Sequence, residues 1–165
     1  MQRQNDKDQK IDLNKGGLRK FYERWINLYP PLLGAGIRTR RIDQQTIQVE
    51  MKLRTLNRNA MGVHFGGSLY AMCDPWYALI LMRALGTEFV VWDKSANIQF
   101  LHPGRGKVTA NFHIPTKQIE EIRRAAEEGE KIEPIFAVNL IDDQGQQVAH
   151  VEKILYIRKR EGGQQ

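Results

Sequence analysis

The sequence predicts an α+β fold: a curved antiparallel sheet wrapped around a long central helix, with an N-terminal helix and a small inserted helix. Two patterns carry this. Residues 66–85, GGSLYAMCDPWYALILMRAL, are apolar almost all round, with Asp74 and Arg83 the only charges, and Gly86 follows as a helix stop. A helix apolar on every face is either a membrane span or the buried centre of a domain. This one is just short of a bilayer's needs, and an Asp-Pro pair at its middle is costly in lipid. The second pattern lies on both sides of it. Ile47, Val49, Met51 and Leu53 alternate with Gln48, Glu50 and Lys52, while Val108, Ala110, Phe112 and Ile114 alternate with Thr109, Asn111 and His113. Such period-two stretches are strands with one buried face and one wet face.

The elements follow in order. Residues 1–15 are polar and are expected to form a disordered tail, ahead of a single domain over 16–160. Leu18, Phe21, Tyr22, Trp25 and Leu28 or Tyr29 recur at helical spacing, an amphipathic lid that Pro30-Pro31 is expected to stop. Strands are expected over 37–42 and 46–54, then a loop over 57–65 and the central helix. Extended structure over 87–101, interrupted near Asp93-Lys94, leads to a turn at His102-Pro103-Gly104 and a strand over 107–114. The stretch after Pro115, with Glu120–Arg124 and Arg124–Glu128 at i, i+4, is a short exposed helix. Two last strands, 135–141 and 147–158, flank the hairpin turn Asp142-Asp143-Gln144-Gly145.

Composition narrows the function. The 165 residues carry a formal charge of +6, 41% hydrophobic and 27% charged residues, and one cysteine. The mean hydropathy is −0.52. The polar N-terminus has no apolar run for a signal or anchor, and a lone Cys73 fits a reducing compartment, so a cytoplasmic location is expected. The basic residues are dispersed and no nucleic-acid-binding pattern is present, so the charge reads as a solvated surface or a patch for an anionic ligand. Neither nucleic acid nor membrane is an expected partner. His102, His113 and His150 lack metal-ligand spacing. Ser68 has no evident base beside it, and Cys73 within the apolar helix reads as core.

Two stretches carry a family resemblance: Asn59-Ala-Met-Gly-Val-His64-Phe-Gly66-Gly67-Ser-Leu-Tyr-Ala-Met-Cys-Asp74, and Ser95-Ala-Asn-Ile-Gln-Phe100-Leu-His-Pro-Gly104-Arg-Gly-Lys-Val-Thr-Ala110. In this order and spacing they resemble the hot-dog fold, specifically the phenylacetic-acid-degradation type of thioesterase and the related DUF4442 family. The resemblance spans roughly residues 34–158, and the opening helix and the insert at 116–130 fit the DUF4442 type better. Where those thioesterases have His-Gly-Gly, this chain has Phe65-Gly66-Gly67, with His64 one position upstream.

The resemblance implies a thioesterase site. Gly66 and Gly67 would bring a thioester carbonyl close to backbone amides at a helix start; otherwise they make a tight loop-to-helix junction. Asp74, a carboxylate in an apolar helix, would be general base or nucleophile; otherwise it satisfies backbone groups freed by Pro75, which is expected to kink the helix. Asn59 would position water or the carbonyl, or turn the loop; His64 would orient the site, or be structural. Arg58, Arg105 and Lys107 would meet coenzyme A phosphates, the coenzyme entering only as part of the substrate. Gly66 and Asp74 stand eight residues apart, roughly 12 Å along a straight helix. A site composed across a homodimer, or a dimer of dimers, removes that difficulty. The expected function is hydrolysis of an acyl-coenzyme A or acyl-carrier thioester, with an apolar groove beside Tyr70, Trp76 and Tyr77. A non-catalytic acyl-thioester binding or regulatory protein is the alternative. A dehydratase is disfavoured, since its Asp-x-x-x-x-His pattern would need histidine where Leu79 stands.

Overall fold

The computed structural model describes residues 25–129 and 131–160. The expected tail and most of the expected lid helix therefore lie outside the described residues. A 3-10 turn, Ile26–Leu28, leads into helix α1 (Pro30–Ala35), which ends at Gly36 in the left-handed region (φ 72°). The chain turns extended at Tyr29, and Pro30 and Pro31 begin a new helix there. Proline's fixed φ suits the first turn, where the missing N–H has no intrahelical acceptor to lose.

Six strands follow: β1 (Ile37–Arg41), β2 (Thr46–Lys52), β3 (Phe89–Phe100), β4 (Lys107–His113), β5 (Ile135–Asp142) and β6 (Gln147–Lys159). They form one sheet in the order β1-β2-β4-β5-β6-β3, antiparallel throughout. Helices α2 (Gly66–Ala71) and α3 (Trp76–Leu85) lie between β2 and β3 in the chain, and α4 (Thr116–Glu127) between β4 and β5. The alternation read from sequence is the alternation of burial. Val49 and Met51 of β2, Val108 and Phe112 of β4, and Val151 and Leu155 of β6 are buried against Leu69, Met72, Trp76 and Leu81. Each such side chain contributes about 1.5–3 kcal/mol on leaving water.

The central helix is in two pieces, a stronger departure than the expected kink. The chain leaves helical geometry over 72–75, and Leu79 N–H to the Pro75 carbonyl (2.9 Å) restarts it. Pro75 supplies no N–H and crowds the preceding turn, so the ladder cannot run through. Side chains take the carbonyls set free at the break: the Trp76 indole N–H donates to Met72 O (2.7 Å), and the Lys153 ammonium to Asp74 O.

The interruption expected near Asp93-Lys94 is a β-bulge. Asp93 faces Leu155 and Ser95 faces Ile154, leaving Lys94 as the extra residue. The bulge switches parity: Val91 and Asp93 share the inward face before it, Ala96 and Ile98 after it, opposite Ile157, Leu155, Lys153 and Val151. Strands β4 and β5 share only the pairs Val108↔Asp142 and Thr109↔Ile141. Arg123 of α4 donates to the Ala84 and Leu85 carbonyls and lies over the Phe89 ring at 5.7 Å, closing the end of α3. Among the described residues no helix is long and apolar enough to cross a membrane.

Candidate active site

Asp74 stands at the break between α2 and α3, its side chain 54% exposed. Its Oδ1 lies 3.2 Å from the Lys153 Nζ, which also meets Asp93 Oδ1 at 2.9 Å. Lys153 itself is wholly buried in the inward row of β6, between Val151 and Leu155. Tyr70, one turn before Asp74, borders the same group. Burial pushes its hydroxyl up first; the Lys153 ammonium opposes this, and the Asp74 and Asp93 carboxylates add to it. Cys73 is core as expected: its Sγ donates to Leu69 O, and burial pushes the thiol up to about 12.

The loop before α2 is held by its own polar side chains. Asn59 Oδ1 accepts the Met61 and Val63 amides (2.9 and 3.2 Å), a local turn that occupies this side chain within the loop. Asn57, which the sequence reading passed over, is buried; it accepts the Arg54 N–H and donates to Ala35 O and Lys52 O. His64 is also buried, with Nε2 on the Gly106 carbonyl (3.1 Å). A carbonyl only accepts, so Nε2 carries the proton, and the buried Nδ1 has no partner among the described residues. Burial pulls its titration below the ordinary 6.5, with the Gly106 bond acting the other way. The displaced histidine ties the loop to the Gly104–Gly106 turn.

Phe65 O accepts the Ser68 and Leu69 amides, so those of Gly66 and Gly67 precede the first intrahelical bond. Aromatic rings lie close over both glycines. A Cβ on Gly66 would stand 3.0 Å from the Phe100 ring, and one on Gly67 would overlap the ring of Phe65. Both rings are more than half exposed. A side chain at either position would have to displace an exposed ring, and the two rings make an apolar rim beside the two amides.

The three basic residues divide. Arg58 bridges to His64, whose N–H donates to Gly104 O, so Arg58 and Arg105 belong to one loop cluster and are exposed. Lys107 starts β4 and turns to Glu50 at 3.7 Å. The aromatic groove is not assembled as expected. Tyr77 is core, its hydroxyl on Ala137 O (2.6 Å) and its ring stacked on Phe136 at 4.8 Å. Trp76 borders a cleft of about 140 Å³ with Ile47, Leu79, Ile80, Arg41 and Arg83. Lys153 and Asp93 were missed by sequence reading. The signal was there: in 149–157 every inward position is apolar except 153.

A curled six-stranded antiparallel sheet around an interrupted central helix defines a hot-dog-fold protein. The solved structures that share it include a Pseudomonas aeruginosa protein described as of unknown function and probable thioesterase (TM-score 0.76, 17% identity, 86% of this chain and 96% of that one). A Haemophilus influenzae thioesterase matches at TM-score 0.63 and 17% identity over 84% and 90% of the two chains. The PaaI protein of the E. coli phenylacetic acid degradation operon matches at 0.61 and 16% over 91% and 97%. The chain belongs to the family described as "Domain of unknown function (DUF4442)", whose model matches residues 17–157. A search of curated proteins finds no match.

Proposed function

We propose that this protein hydrolyses an acyl thioester carried on coenzyme A or on an acyl-carrier protein, at a site composed across a homodimer. The observation that carries the reading is Asp74: a half-exposed carboxylate at a helix break, eight residues after a Gly-Gly helix start. The presence of a thioesterase and a probable thioesterase among proteins of the same fold supports it. Water attacks the thioester carbonyl carbon while Asp74 takes its proton. The C–S bond breaks, and the proton passes to the departing thiolate, giving acid and thiol. Attack by the carboxylate itself is the other route open to this group. The Gly66 and Gly67 amides receive the carbonyl oxygen, and Arg58 and Arg105 meet the phosphates of the carrier; Asn59 and His64 act by shaping the loop that presents them.

The straight-helix distance no longer argues for a second subunit, because the helix is broken. Two other features do. The Trp76 cleft is smaller than the roughly 300–1,000 Å³ typical of ligand pockets. Strand β3 ends the sheet, with Trp92 66% and Phe100 56% exposed, and such an edge is a template for pairing with another chain. A buried, reduced Cys73 fits a cytoplasmic setting.

Thiol release from a panel of acyl-coenzyme A substrates tests the reading. Asp74→Asn should lower kcat by roughly 10²–10⁴ with folding and assembly intact. One observation favours the alternative, a non-catalytic acyl-thioester binder: His64 is turned inward, leaving Phe65 at the position where the related thioesterases carry histidine. Saturable acyl-coenzyme A binding without thiol release would decide for it.

A further inference from the structure

We infer that Lys153 and Asp93 are positioning residues for Asp74, an assignment that rests on the reading of Asp74 as the reactive carboxylate. An ammonium has three donors. Those of Lys153 meet Asp74 O and Asp74 Oδ1 at 3.2 Å, and Asp93 Oδ1 stands against the same ammonium at 2.9 Å as an ion-pair partner. Gripping one residue by both its main-chain carbonyl and its carboxylate fixes the backbone at the helix break and the side-chain rotamer together. Asp74 is thereby held in one orientation although half its surface is open to solvent. Free to rotate, it would meet an attacking water in the right geometry only part of the time.

The device is a poor stabiliser. Burying an ammonium costs more than an ion pair returns when compared with an apolar side chain of like volume. Position 153 lies in a row where Val151, Leu155 and Ile157 show what packing alone would select. The bulge at Lys94 belongs to the same arrangement. It keeps Asp93 on the inward face as the last residue before the parity switch, opposite the ammonium and beside Tyr70 and Cys73, the other titratable groups at this point.

The test is a mutant cycle with Lys153→Met and Asp74→Asn, read as kcat and KM on the acyl-coenzyme A panel with thermal unfolding in parallel. Both carboxylates retain solvent access, so Lys153→Met should still fold, with a melting temperature lowered by the loss of the donor to Asp74 O. Its kcat should fall at least tenfold with KM within twofold, and the double variant should be no slower than Asp74→Asn alone. An unchanged kcat, or losses that multiply in the double variant, would overturn the inference. Asp93→Asn, at the exposed rim, gives a second reading should Lys153→Met not fold: kcat again falls with KM kept, or the inference fails. If the wild type releases no thiol from any substrate, the functional reading fails by itself. Hydrogen exchange then decides the positioning: faster exchange confined to 72–76 and 93–95 in Lys153→Met supports it, and unchanged exchange refutes it.

Discussion

His64 is neutral when folded at pH 7, whereas in the unfolded chain it titrates at the ordinary 6.5. Its folded value is depressed, so the stability it contributes is complete above pH 6.5. That contribution declines as pH falls below 6.5, because the unfolded chain takes up a proton there more readily than the buried ring does. Denaturant unfolding between pH 7 and 5 should show this decline, and His64→Gln, which keeps a donor for Gly106 O, should flatten it. The Asp43 carboxylate is held below its ordinary 3.8, first by the Gln45 amide, so its contribution is lost only at more acid pH and leaves this window clear. Gly106 gives a second prediction at this scale. It sits at φ 65°, and a Cβ there would run into the Asp143 carboxylate, whose Oδ2 accepts the Lys107 N–H. Gly106→Ala should cost about 1–2 kcal/mol of unfolding free energy. Asp74 was legible in sequence because a charge in an apolar run is conspicuous. Lys153 breaks the apolar row Ala149, Val151, Leu155 and Ile157 in the same way, but one lysine near the chain's basic end reads as surface until the register is known.

At the scale of elements, the strands were legible to within a few residues because their alternation is the alternation of burial. Breaks and pairings were not. Nothing local says that Asp74-Pro75 separates two helices rather than bending one; that depends on Trp76 and Lys153 being placed to take the freed carbonyls. The bulge is similar, since its extra residue is defined only against β6. Deleting Lys94 would make Asp93 and Ser95 successive opposite Leu155 and Ile154, so both halves of β3 keep their faces and that variant should still unfold cooperatively on heating. Lys94→Ala removes only an exposed ion pair with Glu133 and should change stability by less than about 1 kcal/mol. Arg123→Ala, which frees the Ala84 and Leu85 carbonyls, should cost about 1–3 kcal/mol by denaturant titration.

At the scale of the whole molecule, the sheet has two ends of different character. The β1 end carries Arg38, Arg40 and Arg41, which discourage edge pairing, whereas the β3 end is long and presents Trp92. Light scattering coupled to size exclusion should report a dimer for the wild type. Trp92→Lys should weaken it, lowering activity in step with the fraction of dimer. A stable active monomer would remove the composite site while leaving Asp74 and Lys153 in their roles.

The sole sulfhydryl of the chain, Cys73, has no solvent-accessible surface and ionises only near pH 12. At neutral pH it is therefore silent toward disulfide-exchange dyes and maleimides. A cysteine introduced at an exposed position such as Met82 would be the single reactive handle on each chain of the proposed dimer. A fluorophore or spin label attached there would report inter-subunit spacing directly, with no native background to remove.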